Sequence, residues 1–304
     1  MSERQITATV GLSFVNGIGP KMLEKLVDRF DNPEDILNAS VDELCKIPRL
    51  TSKIAEAIHA IDLEAIEMEL MALEEFGIAV ITRYDKSYPK NLKTISDLPP
   101  VLFQMGDFRE EDNRAAAIVG TRNPSQGGRK MAKELAYGLA ERGFTIVSGL
   151  ALGIDTASHQ GALEADGRTI AVLGSGIKII HPNQNLGLAE QIRQSGAIFS
   201  ELHPNARPSG GTLMSRDRII SGLALGTIIV EANENSGSID TAKRTRAQGR
   251  KLFAVANESK GNQKLIDEGA YTISDITTAS LNQISEILTM TRIETSDDSQ
   301  MSLF

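Results

Sequence analysis

The chain has 304 residues, of which 41% are hydrophobic and 24% charged, and its formal net charge is −8. This composition is typical of a globular protein and excludes a uniformly basic nucleic-acid binder; the sequence has no apolar run of about 18 residues that would predict a transmembrane helix. A single cysteine, Cys45, excludes an internal disulfide, and the four scattered histidines lack metal-ligand spacing, so we expect a cytoplasmic protein without a metal site.

The charge is unevenly distributed along the chain. Residues 1–113 carry 12 Lys/Arg and 21 Asp/Glu, a net charge of −9, and residues 256–304 carry 3 and 8, a net charge of −5. Residues 114–255 carry 17 and 11, a net charge of +6. We therefore expect a polyanion to bind the central segment. A mixed, solvated surface without a ligand is the alternative at this point.

Residues 1–76 are predicted to form a small all-α domain with an internal repeat. A Gly-apolar-Gly turn at 17–19 precedes one short helix, and the turn at 47–50 precedes another. This pattern resembles tandem helix-hairpin-helix modules, whose free N–H groups can contact DNA phosphates. The second turn has lost both glycines and its surroundings are acidic. A structural or protein-binding role is therefore favoured for this domain over DNA binding.

Residues 77–113 are predicted to be a connector into the next domain. An amphipathic helix over 62–76 is expected to end at Gly77, and a short strand follows at 78–81. The remainder is rich in proline and contains extended pieces.

Residues 114–278 show a regular alternation of apolar runs and helical patterns. Such alternation predicts an α/β fold with a doubly wound, mainly parallel sheet. One helix is expected from about residue 125 to residue 142. The strands are expected near 115–119, 145–148, 169–173, 197–201, 226–231 and 251–255.

Glycine-rich or hydroxyl-rich loops follow several of these strands. The carboxyl ends of parallel strands share one edge, so these loops converge on one place. Backbone N–H groups, a helix amino terminus and an arginine at such an edge bind phosphate. Two further arginines lie in a Gly/Ser-bearing stretch. The predicted phosphate-binding residues are Gly120, Thr121, Arg122, Ser148, Gly149, Gly153, Arg216, Arg218, Ser236, Gly237, Ser238 and Thr241.

No catalytic constellation assembles in the sequence. Ser148, Asp155 and His159 are close together, but Asp155 is expected to cap a helix on which His159 lies one turn further along. There is no Gly-x-x-x-x-Gly-Lys-Ser/Thr loop, which argues against a P-loop nucleotidase. We expect no catalytic residues and no cofactor.

The order of its motifs shows that the chain, over about residues 8–275, resembles the DNA-processing protein A family (DprA/Smf). The resemblance implies a Rossmann-like domain behind a helix-hairpin-helix-like domain, and binding of single-stranded DNA. It also implies loading of the recombinase RecA during natural transformation, and a homodimer. The motifs that carry the resemblance lie at 120–124, 147–155, 169–174, 200–201, 216–222, 230–232, 236–242 and 261–270.

The chain departs from the family pattern just before and within the Arg-x-Arg motif. Where the family commonly has a basic residue, glycine and an aromatic residue, this chain has Gly210, Gly211 and Leu213. Asp217 replaces the usual asparagine between the two arginines. Because aromatic stacking contributes about 1–3 kcal/mol per base, its loss predicts weaker binding or a dependence on phosphate contacts.

The C-terminal segment, 279–304, is predicted to contain one helix followed by a polar, acidic and disordered tail. The tail ends in Gln300-Met301-Ser302-Leu303-Phe304. This sequence looks like the bacterial pentapeptide that binds the DNA sliding clamp through its glutamine and its Leu-Phe pair, here Gln300, Leu303 and Phe304. An incidental match is the alternative.

Two other functions are alternatives to DNA binding. The first is a nucleotide-hydrolysing enzyme of the phosphoribohydrolase type, which carries a Pro-Gly-Gly-x-Gly-Thr loop. Residues 236–241 lack that glycine density and the glutamate that follows it. The second is a scaffold that has lost DNA binding, which Leu213 and Asp217 favour.

Overall fold

A computed structural model of the chain describes residues 2–290. The predicted clamp-binding residues Gln300, Leu303 and Phe304 lie outside these described residues.

The amino-terminal part is a helical bundle. Ser2 and Ser40 each form a capping box with the residue three positions later, which fixes where two of the helices begin. Leu12, Leu26 and Ile58 are fully buried in its core. The helices are α1 Glu3–Phe14, α2 Pro20–Phe30, α3 Pro33–Asn38, α4 Val41–Leu44, α5 Ser52–His59 and α6 Leu63–Glu75.

The rest of the described chain is built around a nine-stranded sheet. Its spatial order is β1-β2-β6-β5-β4-β3-β7-β8-β9, with β3 to β9 parallel and β2 antiparallel to both of its neighbours. The strands are β1 Ile78–Thr82, β2 Val101–Gly106, β3 Ala115–Val119, β4 Thr145–Ser148, β5 Thr169–Val172, β6 Ala197–Ser200, β7 Gly226–Ile229, β8 Lys251–Val255 and β9 Tyr271–Ile273. The predicted doubly wound, mainly parallel sheet is confirmed.

Helices cover both faces of the sheet. Alternate residues of β3 point to opposite faces, so Ala117 packs with Ile219 and Ile220 while Ile118 packs with Leu135 and Leu139. The helices are α7 Gln126–Ala140, α8 Ile154–Glu164, α9 Leu186–Ser195, α10 Gly210–Leu223, α11 Gly237–Ala247, α12 Lys260–Asp267 and α13 Thr278–Thr289.

The predicted connector contributes two strands to the sheet. β1 pairs with β2, and β2 pairs with β6 at the register Phe103 to Ser200. The sequence pattern shows a strand at 78–81 but does not show its pairing, because its partners lie about 20 residues further along, beyond a proline-rich segment. The sheet therefore begins at Ile78.

A buried carboxylate fastens this segment to the parallel strands. The side chain of Asp112 is fully buried and accepts hydrogen bonds from Nε and Nη2 of Arg168, both at 2.7 Å. It also accepts from Thr145 Oγ1 at 2.7 Å and from the backbone N–H of Arg109 at 2.7 Å. All its acceptor positions are thus used within the chain.

We expect Asp112→Ala to destabilise the protein by about 3–5 kcal/mol, because it removes the buried carboxylate that pairs with the largely buried Arg168 guanidinium and leaves only the exposed Glu111, at 3.8 Å, as a counter-charge. Denaturant unfolding checks this value. The matched control is Glu190→Ala at the exposed pair with Arg193, which should cost less than about 1 kcal/mol. A loss below 1 kcal/mol for Asp112→Ala would contradict the structural role of this ion pair.

Candidate nucleic-acid interface

A cavity of about 290 Å³ lies at the carboxyl ends of the parallel strands. β4 and β5 extend from one side of β3, whereas β7 and β8 extend from the other, so the chain order reverses between β3 and β7. Ligands of open α/β sheets bind at this reversal. The cavity is lined by Val119, Gly120, Thr121, Arg122, Ala151, Asp155, Leu213, Met214, Arg216, Asp217, Ile220, Ser236, Gly237, Ser238 and Thr241.

The loop after β3 is held rigidly and presents one arginine. Thr121 N–H donates to the carbonyl of Glu231 at 2.7 Å, and Thr121 carbonyl accepts from Ile154 N–H at 3.2 Å. A β-carbon at Gly120 would stand 2.9 Å from the Glu231 carbonyl and 2.6 Å from the Ile154 side chain, so only glycine fits. Arg122 is exposed, and its guanidinium has no hydrogen bond or ion pair within residues 2–290. It is a cation available to a ligand.

The amino terminus of α7 does not face a ligand, contrary to the expectation from the sequence. Ser125 caps this helix by accepting from Gly128 N–H at 2.9 Å. The carboxylate of Glu231 accepts from the Ser125 hydroxyl at 2.7 Å and from Ser125 N–H. A negative side chain therefore already occupies the positive end of α7.

The helix end that lines the cavity is that of α11. Its N-cap residue, Ser236, makes no capping hydrogen bond to the helix; its hydroxyl lies 2.8 Å from that of Ser238. A helix leaves its first amides without internal partners, and the N–H groups of Gly237 and Ser238 have none in the described chain. These donors, together with the helix dipole, favour an anion in the cavity.

Arg216 lies at the floor of the cavity and is only 5% exposed. Its Nη1 donates to the Val172 carbonyl at 2.7 Å, and its Nε lies 3.2 Å from Asp217 Oδ1. A β-carbon at residue 149 would overlap the Arg216 guanidinium. Gly149 is therefore required by the packing of this arginine.

Two carboxylates share this floor. Asp155 accepts from Gly149 N–H at 3.1 Å, so that amide is not available to a ligand. Burial raises the pKa of Asp155, which the positive charge of Arg216 opposes. Burial also raises the pKa of Asp217 to about 6, again against Arg216. The cavity floor thus combines one buried cation with two carboxyl groups.

The structure does not assemble a hydrolytic triad, although Ser148 lies beside Asp155. The Ser148 hydroxyl is buried and donates to the Ile118 carbonyl at 2.7 Å. His159 Nδ1 lies 2.7 Å from Thr169 Oγ1, and burial lowers the pKa of His159 to about 3. The expected helix cap at Asp155 is also wrong: the N-cap of α8 is Gly153, and Asp155 lies in the first turn.

Four predicted phosphate ligands lie away from the cavity surface. Ser148 and Gly149 are buried, and Gly153 packs against the carbonyls of Thr121 and Arg122. Arg218 donates from Nη1 and Nη2 to the Glu201 carboxylate at 2.7 and 2.6 Å. It lines a separate cavity beside residues 18–22 of the helical bundle. The other eight predicted residues line the cavity described above.

Sequence reasoning assigned no role to two residues that shape the site. Glu231 holds the loop after β3 and the start of α7, as described above. Asn262 donates from Nδ2 to the carbonyls of Val230 and Val255 at 3.0 and 2.8 Å, which joins the ends of β7 and β8. Glu231 follows the apolar run that ends β7, and Asn262 lies against the ends of β7 and β8. A polar residue next to the end of an apolar strand is the signal that could have identified them.

Residues 2–290 lack two other functional features. No cluster there holds three or more His, Cys, Asp or Glu side chains placed to bind a metal ion. Among the same residues, none of the helices combines the length and apolar composition needed to cross a bilayer.

Comparison with known proteins gives two family matches. Residues 79–284 match the model of DNA recombination-mediator protein A, and residues 11–60 match the SAM-like helix-hairpin-helix tandem. DNA processing protein DprA of Bacillus subtilis is 41% identical over 210 residues, which cover 67% of this chain and 71% of the relative.

Two solved structures are also similar. DNA processing protein A from Streptococcus pneumoniae aligns with a TM-score of 0.77 and 30% identity, covering 90% of this chain and 95% of that one. DNA processing protein A from Helicobacter pylori, described with its single-stranded DNA binding mode, aligns with a TM-score of 0.63 and 29% identity over 69% of this chain and 97% of that one. The chain belongs to the DNA recombination-mediator protein A family, the DprA/Smf proteins.

Proposed function

We propose that the protein is a non-enzymatic mediator of recombination that binds single-stranded DNA, protects incoming DNA and loads RecA onto it during natural transformation. The observation that carries the proposal is the cavity at the reversal of strand order, which is lined both by Arg122, unpaired within residues 2–290, and by the amino terminus of α11, which has no side-chain cap. Membership of the DprA/Smf family and the description of the Helicobacter pylori relative support it.

The backbone of the DNA is the part this cavity suits best. A phosphate between Arg122 and the N–H groups of Gly237 and Ser238 would receive charge-assisted hydrogen bonds from both sides. Leu213 and Met214 offer an apolar wall to a base, and no aromatic side chain lines the cavity in the described chain. Affinity therefore depends mainly on phosphate contacts and falls as salt rises.

The size of the cavity favours a single strand over a duplex. The cavity is about 290 Å³, and a single strand can turn a phosphate and an unstacked base toward it, whereas a duplex keeps its bases stacked inside. Duplex DNA therefore has to contact the rim alone.

We expect Arg122→Ala to weaken binding of single-stranded DNA at least tenfold, because a charge-assisted hydrogen bond contributes about 1.5–3 kcal/mol. Fluorescence anisotropy of labelled oligo-dT and of a duplex of equal length, at two salt concentrations, measures this. The matched control is Arg129→Ala, which removes an exposed arginine of α7 that does not line the cavity.

Equal affinity of wild type and Arg122→Ala would place the DNA elsewhere. Absence of binding at low salt would favour the scaffold. Turnover of nucleoside monophosphates without DNA binding would favour the phosphoribohydrolase-like enzyme.

A second prediction concerns how the affinity for DNA depends on pH, and it rests on Asp217. With a pKa of about 6, it is charged at pH 7.5 and mostly neutral at pH 5.5, so acidification removes most of one negative charge from the cavity. Affinity for single-stranded DNA should rise roughly threefold to tenfold over this interval, since the repulsion acts at short range. Asp155 and Asp240 raise, and Arg216 and Arg244 lower, the same pKa.

Asp217→Asn should bind more tightly at pH 7.5 and lose most of the pH dependence. Asp166→Asn is the control; it removes the same charge at a site that does not line the cavity and whose φ of 51° asparagine tolerates. A pH dependence that survives Asp217→Asn unchanged would assign the effect to another group.

Recombinase loading is tested on DNA covered by single-strand-binding protein. We expect the wild type to accelerate the onset of DNA-dependent ATP hydrolysis by RecA, and Arg122→Ala to be less effective because it holds less DNA. An unchanged lag with the wild type would refute the loading function while leaving DNA binding intact.

Two finer assignments complete the proposal. We assign a homodimer on the family resemblance. Contact with the sliding clamp through Gln300, Leu303 and Phe304 stays a prediction from the sequence.

A further inference from the structure

A second groove lies between the helical bundle and the edge of the sheet and shares no lining residue with the DNA cavity. Its volume is about 610 Å³, twice that of the DNA cavity. Three elements form it: one face of α1, one face of α6 and the start of β1. The lining residues are Glu3, Ile6, Thr7, Glu67, Leu70, Met71, Glu74, Gly77, Ile78, Ala79 and Val80.

The α6 wall is a continuous helix face. Glu67, Leu70, Met71 and Glu74 follow the i, i+3, i+4, i+7 spacing that puts side chains on one side of a helix. Met71 is 58% exposed although it belongs to an apolar wall. Leu73 of α6 is fully buried and packs with Ile78 and Phe103 of the sheet.

The sheet wall of the groove is an outer strand. β1 pairs with β2 only, and residues 77–80 line the groove. Natural edge strands are usually protected by lysine, proline, a bulge or very short length. β1 reads Ile-Ala-Val-Ile-Thr and contains neither charge nor proline, whereas the opposite edge, β9, has only three residues. The edge of β1 is therefore suited to pairing with another strand.

The rim of the groove is acidic and uncompensated. Within residues 2–290, Glu3, Glu67 and Glu74 form no ion pair. α6 contains five glutamates and no lysine or arginine. The rim therefore favours a basic ligand.

This charge argues against the two occupants that the protein itself offers. A second copy would bring the same three carboxylates to face their equivalents. The chain segment beyond the described residues, 291–304, carries one arginine and three acidic residues, a net charge of −2. Both would place like charges together.

The geometry points to a docking site for an extended segment of a partner protein that combines apolar residues with lysine or arginine and adds as a strand to the edge of β1. Its backbone would pair with β1 and its apolar side chains would fill the groove. Glu67 and Glu74 lie about 10 Å apart along α6, close to the ~13 Å between side chains four residues apart on a strand. Two basic residues at that spacing reach both carboxylates.

The probe for the test is a labelled nine-residue peptide with threonine at its even positions and Val, Lys, Ile, Lys and Val at its odd positions. We expect it to bind the full chain in an anisotropy titration, and a peptide with glutamate in place of lysine to bind at least tenfold more weakly. Failure of the basic peptide to bind, or equal binding of both peptides, would overturn the proposal.

Charge reversal in the groove gives the second readout. Glu67→Lys/Glu74→Lys should weaken peptide binding at least tenfold. The matched control Asp28→Lys/Glu56→Lys changes the net charge equally at exposed positions elsewhere on the bundle and should change binding less than twofold. Both variants should keep wild-type affinity for oligo-dT, which shows that they fold. If the control variant lost as much peptide affinity as Glu67→Lys/Glu74→Lys, the loss would be due to the overall charge of the protein, and the proposed site would be refuted.

Backbone pairing is tested with N-methylated peptides. Methyl groups on alternate amides along one edge of the peptide should abolish binding, whereas methyl groups along the other edge should not. Binding that is unaffected by methyl groups along either edge of the peptide would overturn strand addition. Concentration-dependent dimerisation lost in Glu67→Lys/Glu74→Lys would instead identify a second copy as the occupant. Tighter peptide binding by Leu303→Ala/Phe304→Ala would identify the tail.

Discussion

The organisation of the site depends on the contacts of one buried cation, Arg216. Its guanidinium bridges the end of β5, through the Val172 carbonyl, to Asp217 on its own helix, and it packs directly on Gly149 at the end of β4. A buried cation is tolerated only when carboxylates and carbonyls surround it. Removing it would leave two carboxyl groups together in a poorly solvated place, so the strand ends, the glycine and both acids form one unit.

This arrangement explains why the site depends on so few free groups. Arg216 and Arg218 are occupied by partners within the protein, and the end of α7 is occupied by Glu231. For a polyanion the cavity offers Arg122 and the first amides of α11, with the partnered Arg216 at its floor. The two buried acids weaken the positive potential around them, and because the charge of Asp217 changes near pH 6, that potential itself depends on pH.

The strand-order reversal and the β1 edge of the sheet differ in charge and in chemistry. At the reversal of strand order, a basic segment presents an arginine and helix amides to an anion. At the β1 edge, an acidic bundle and an uncharged strand enclose a groove suited to a basic, apolar peptide. In the proposed function DNA occupies the first of these places, and in the further inference a protein segment occupies the second.

The sequence by itself determined the class of fold, the parallel strands and the edge at which the loops meet, because compact apolar runs and the residues that follow them are local signals. It placed Gly120, Arg122 and the 236–241 loop at one site for the same reason. Only the tertiary structure decided that Arg216 and Arg218 are buried in ion pairs, that Glu231 rather than a ligand sits at α7, and that residues 78–106 supply two strands. Those outcomes depend on partners distant in sequence, such as Glu201 for Arg218, and no local pattern encodes which of several nearby charges a side chain will meet.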